Sequence, residues 1–159
     1  MSRPVSYSLD VSEISEPVYF AYGSNMASST LAERAVGARR VGIGRLLDHR
    51  LGFTLPSHRW GGRAADIVPE IGGVVWGVLW RVEDAGALDG FEVRYDRIEV
   101  AVEEDPGQTM SAFTYRVRAE LRADDEGIPA PAYLARLVVG AGEAGIPDEY
   151  LAFLRSCAG

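Results

Sequence analysis

Gly73-Val74-Val75-Trp76-Gly77-Val78-Leu79-Trp80 is the strongest strand signal in the chain, apolar on both faces. A strand of that kind belongs in the middle of a sheet. Upstream, residues 41–68 alternate short apolar stretches with Gly, Asp, Pro and Ser. That pattern predicts several strands joined by turns, with one longer loop at Pro56 to Gly62. Gly42-Ile43-Gly44 reads as a strand bulge, because the rest of a dinucleotide fingerprint is missing. Val18 to Tyr22 is a β-branched and aromatic run that stops at Gly23, and Thr30-Leu31-Ala32-Glu33 has capping-box spacing for a helix beginning near Ser29. Downstream, Glu83 to Phe91 reads as a short helix and Arg97 to Glu103 as a half-buried strand. Met110 to Val117 is its hairpin partner across Asp105-Pro106-Gly107. Pro131 to Ala144 and Pro147 to Arg155 each open on proline and carry helical apolar spacing. Strands first and helices last describe an α+β domain, not an alternating parallel α/β fold.

The first 17 residues are polar and read as a flexible arm, leaving one domain over residues 18–159. With 159 residues, 47% of them hydrophobic, the chain is long enough to bury a core without a disulfide or metal staple. Its 23 acidic residues against 16 basic ones, all arginine, give a net charge of -7 and argue against a nucleic-acid partner. No apolar run approaches the roughly 20 residues of a membrane span. The acidic N-terminal stretch has no signal-peptide core, and Cys157 has no partner in its chain, so a reducing cytoplasm is expected. His49, His58 and Cys157 fit no common zinc spacing, so no metal is expected.

Two places could carry chemistry. Tyr22-Gly23-Ser24-Asn25-Met26 leaves a strand through glycine into small polar residues, a turn able to offer several donors to one anion. The ordinary alternative is a plain turn. Glu92 follows Leu88 and Phe91 at a helix end, where partial burial would raise its pKa toward neutrality and suit it to move protons. Its ordinary alternative is a surface pair with Arg94 or Arg97. Asp89, one turn earlier, reads as an exposed helix residue. A basic 39–63 segment, net positive by five, and an acidic 83–105 segment, with nine acids against two arginines, differ from the average charge. The absence of G-x-S-x-G around Ser24 argues against a serine hydrolase.

The ordered set of motifs resembles the γ-glutamylcyclotransferase family, including its plant-type branch acting on γ-glutamylamines. It is carried by Phe20-Ala21-Tyr22-Gly23-Ser24-Asn25-Met26 and Leu88-Asp89-Gly90-Phe91-Glu92. Trp60-Gly61-Gly62, Val75 to Trp80, Tyr95, Pro131-Ala132-Tyr133-Leu134, Gly140-Ala141 and Gly145 to Tyr150 extend it over residues 18–154. The resemblance implies a small mixed β-barrel flanked by helices. It implies a reaction in which a γ-glutamyl amine or γ-glutamyl amino acid closes to 5-oxoproline and releases the free amine, with no cofactor. Glu92 falls on the family's catalytic glutamate. Tyr22, Gly23, Ser24, Asn25 and Met26 fall on its substrate loop, and Tyr95 and Tyr133 on tyrosines near the site. The partner implied is a small γ-glutamyl molecule, and pairing with a second copy is left open.

Two departures stand out. Val93 occupies a position where the family usually has glycine, and only two residues separate Glu92 from Tyr95. The short connection resembles the plant-type branch and predicts an open site, one that suits a bulkier amine beyond the γ-glutamyl group better than a small amino acid alone. The departures also keep alive a non-catalytic γ-glutamyl-binding module on the same fold, and the arginines of 39–63 a weaker RNA-contacting reading.

Overall fold

The computed structural model describes residues 16–159. Five strands form a closed barrel: β1 (Val18–Ala21), β2 (Arg39–Pro56), β3 (Arg63–Arg81), β4 (Tyr95–Asp105) and β5 (Gln108–Val117), in the order β1-β3-β2-β4-β5. Every pairing is antiparallel except the closure of β5 on β1, which is parallel at Tyr19 and Phe113, so the barrel is mixed. The helices are α1 (Ser28–Arg34), α2 (Ala85–Phe91), α3 (Pro131–Ala144) and α4 (Asp148–Ser156). The architecture is therefore the α+β mixed barrel with flanking helices.

The Gly73–Trp80 run is the C-terminal half of β3, a strand that pairs with β1 on one side and β2 on the other. Residues 41–68 depart from the several strands expected of them. They form most of β2, one loop and the start of β3, with register shifts at Arg40/Gly42, Leu47/His49 and Phe53/Leu55. The turn-favouring residues are absorbed as bulges, which bend a long ladder around the barrel without ending it. The first of these shifts lies at the expected Gly42 bulge.

The capping box is also corrected. Helix α1 begins at Ser28 with Ala27 at the cap position, no side chain caps it locally, and Thr30 is buried inside the helix. Glu143 of α3 accepts from the Ser28 N–H instead, so a carboxylate from another helix fills the role. The expected arm lies outside the described residues except for Glu16 and Pro17. Glu16 pairs with Arg39 at 2.8 Å, and the Pro17 carbonyl accepts from the Val82 N–H, which ties the chain to the barrel before β1. Core residues of the barrel and of α3 and α4 form one continuous cluster, including Phe20, Val78, Leu79, Leu137 and Leu154.

Candidate active site

Strand β1 ends at the mouth of the barrel and hands the chain to a single 3₁₀ turn, Ser24–Met26. Two glycines let this segment sit where it does. A Cβ on Gly77 would lie 2.6 Å from the Ala21 carbonyl, and one on Gly140 would lie 2.4 Å from the Ala27 nitrogen. The strand end is thus seated against β3 and the turn against α3 by backbone contact that any larger residue would push apart. The N–H groups of Met26 and Ala27 are used by the carbonyls of Gly23 and Ser24. Those of Ser24 and Asn25 have no partner within so short a turn.

This packing separates the five loop residues. Tyr22, Gly23, Ser24 and Asn25 line a cleft of about 180 Å³, together with Glu92, Tyr95 and Tyr133. Met26 does not line it. Its side chain is fully buried beneath Gly140, so it anchors the turn and does not reach a ligand. Tyr22 donates to the Tyr115 carbonyl at 2.6 Å, which commits its hydroxyl to holding β5.

Glu92 follows α2, and its backbone N–H still closes that helix on Leu88 and Asp89. Its side chain is 14% exposed. It accepts a hydrogen bond from Asn25 Nδ2 at 3.2 Å, and Arg34 stands 3.7 Å away. Burial pushes the carboxyl up to about 7, against the opposing pull of Arg34, Asn25 and Arg94. The expected surface partners are engaged elsewhere: Arg94 donates to the Pro56 carbonyl, and Arg97 pairs with Asp89. Among the described residues, Asp48 is the only non-glycine with positive φ. Val93 therefore sits on backbone that does not need glycine's freedom.

Tyr95 and Tyr133 meet at one residue, Ala65. The Tyr95 hydroxyl donates to the Ala65 carbonyl at 2.9 Å, and the Ala65 N–H donates to the Tyr133 oxygen at 3.0 Å. Burial raises the Tyr133 phenol to about 12, so it keeps its hydrogen throughout the neutral range. Reading the sequence missed Tyr19, whose oxygen accepts from Asn25 Nδ2 at 3.0 Å, and Arg34, which donates to Asn25 Oδ1 at 3.0 Å. The available signal was their placement, with Tyr19 in the strand that feeds the loop and Arg34 in the helix that leaves it. Neither belongs to a local motif. Among the described residues no cluster of His, Cys, Asp or Glu is arranged to hold a metal, and no helix is long and apolar enough to cross a membrane.

A model of the AIG2-like family matches residues 74–154. The γ-glutamylcyclotransferase of Bos taurus is 33% identical over 150 residues, covering 87% of this chain and 77% of the relative. The Homo sapiens γ-glutamylcyclotransferase is 32% identical over 146 residues, covering 84% and 74%. A solved γ-glutamyl cyclotransferase superposes with a TM-score of 0.82 at 30% identity, covering 89% of this chain and 87% of the other. A yeast γ-glutamyl cyclotransferase specific to glutathione shares the fold, with a TM-score of 0.63 at 14% identity and coverage of 89% and 94%. With 33% identity over most of the chain and the same barrel fold, this chain belongs to the γ-glutamylcyclotransferase family and is an enzyme of that family.

Proposed function

We propose that the enzyme converts γ-glutamyl amines and γ-glutamyl amino acids to 5-oxoproline and the free amine, with Glu92 as general base and then general acid. The nucleophile is the substrate's own α-amine. Its attack on the γ-carbonyl is intramolecular, so orientation in the cleft removes much of the entropic barrier. Glu92 takes a proton from the α-ammonium and the freed amine forms the new C–N bond. That proton passes to the departing nitrogen as the original amide bond breaks. The second proton, lost by the ring nitrogen as it becomes the lactam N–H, passes through the regenerated carboxylate to the released amine or solvent. Such a shuttle works best with a pKa near the operating pH. The observation that carries this reading is the Glu92 side chain itself, 14% exposed in the wall of the cleft with a single hydrogen bond, a burial that pushes its carboxyl up to about 7.

Charge building on the γ-carbonyl oxygen needs preorganised donors. The N–H groups of Ser24 and Asn25 and the hydroxyl of Tyr133 are the candidates for that role or for holding the α-carboxylate. Gly23 leaves room beside the Tyr133 hydroxyl, which would be 3.6 Å from a Cβ at that position. Arg34, Arg59 and Arg94 line the cleft with Glu92. Three cations against one carboxylate favour a leaving group that itself carries a carboxylate over a bare amine. We place the reaction in the cytoplasm on the strength of the unpaired Cys157.

The test is release of 5-oxoproline from matched pairs of γ-glutamyl amino acids and the corresponding γ-glutamylamines. Turnover is expected on both, faster on the amino acid member. Glu92→Gln is expected to lower kcat by at least about a hundredfold while thermal unfolding remains cooperative. Full activity in that variant would remove Glu92 from the mechanism.

A further inference from the structure

Asn25 carries a donor at one end of its amide and an acceptor at the other, so its orientation decides what Glu92 faces. Nδ2 points to Glu92 Oε1 at 3.2 Å and to Tyr19 Oη at 3.0 Å, while Oδ1 accepts from Arg34 at 3.0 Å. Turning the amide over would bring its oxygen against the carboxylate and its NH₂ against a guanidinium that has no acceptor. Both contacts would be repulsive. Arg34 thus holds the amide in the one orientation that stabilises ionised Glu92.

We propose that Arg34 is the positioning residue of the acid–base group, acting on Glu92 through the Asn25 amide and through its own charge. The inference rests on the reading of Glu92 given above. The titratable groups facing Glu92 are Tyr19 from β1, Arg34 from α1, Arg94 just beyond α2, Tyr95 from β4, Tyr115 from β5 and Tyr133 from α3. Burial raises all four tyrosines, so they stay neutral in the working range and the two arginines are the charges that matter. Arg94 is the weaker of these in its effect on Glu92, and it is held by the Pro56 carbonyl. Arg34 is 20% exposed, lies in the last turn of α1 and has its guanidinium 5.8 Å from the Phe91 ring centroid. Its place is therefore fixed by packing as well as by polar contact.

The experiment is the pH profile of kcat/KM for 5-oxoproline release by the full chain, its Arg34→Met and Arg34→Lys variants, and Glu92→Gln as control. Removing the cation and freeing the amide should raise the pKa of the base, so the acid limb of Arg34→Met should move up by about one pH unit. Turnover at pH 6 should then fall about tenfold, with much of the loss recovered at alkaline pH. Arg34→Lys keeps the charge on a single-point donor and should return the limb toward its original position with a lower plateau. An unmoved acid limb in Arg34→Met overturns the proposal, whatever happens to the rate. If that variant does not fold, Arg34→Gln takes its place, since it can still donate to Asn25 but carries no charge. An unmoved limb there has the same consequence. Full turnover in Glu92→Gln overturns the underlying assignment of the base, which is a separate result.

Discussion

Asp66 and Glu92 are both carboxylates withdrawn from water, each beside an arginine, yet their surroundings differ. Asp66 is completely buried and saturated with donors. It accepts from the Thr54 hydroxyl at 2.9 Å, the Ile67 N–H at 2.9 Å, the Val117 N–H at 3.0 Å and Arg122 Nε at 3.0 Å. Glu92 has one hydrogen bond, from Asn25, with Arg34 at 3.7 Å, and it faces an open cleft. A buried carboxylate with a full set of donors is a structural tie, here joining β2, β3, β5 and the segment beyond β5. One buried with too few donors keeps a proton near neutral pH and is poised to give it away. Burial alone distinguishes nothing, and the number of donors does.

The comparison breaks most visibly at Asp66. Asp66→Asn places an NH₂ among groups that all donate and removes the carboxylate that balances Arg122, and should lower stability by about 3 kcal/mol in denaturant unfolding. A loss below about 1 kcal/mol would mean that the saturated network is not holding the barrel. Glu92→Gln should behave in the opposite way. The folded-state pKa of about 7 lies above the ordinary 4.5, so the native state binds the extra proton between these values. The stability that Glu92 contributes is fully present below the lower value and is lost as pH rises through the upper one. The variant, which has no proton to lose, should therefore gain on the parent between pH 4.5 and 8, by on the order of 3 kcal/mol. Thermal unfolding across that range checks the sign. A constant difference would mean that Glu92 titrates normally. The smallest effect is expected at Val93→Gly. Val93 is exposed and sits on ordinary backbone, so turnover should stay within about threefold of the parent. A large gain in kcat would show that the valine restrains the segment after Glu92.

Much of the site could be read locally. The Tyr22–Asn25 turn and Glu92 each sit at the end of an element, where a strand or helix stops and the chain changes direction, and such ends are written in short-range sequence. Tyr19 and Arg34 could not be read that way. Their roles exist only because the turn at Ser24–Met26 folds α1 back toward α2, bringing Arg34 to a glutamate 58 positions later in the chain. Met26 was misread for the same reason, since only the approach of α3 at Gly140 puts its side chain in the core. Similarly, the glycines and Asp48 of residues 41–68 signal a change of direction, but a bend within one ladder and a turn between two strands carry the same local signal.

By itself the sequence determined the α+β composition, the central strand at Gly73 to Trp80, the two C-terminal helices and the resemblance to the family. These follow from periodicity, from glycine and proline placement, and from the order of a few short segments, all of which are properties of neighbouring residues. The tertiary structure decided the closure of β5 on β1, the filling of α1's start by Glu143, and above all which carboxylate is tied down and which is poised. That last distinction depends on how many donors converge on each acid from separate parts of the chain. Glu92 and Asp66 differ in this respect only after the barrel has closed around them.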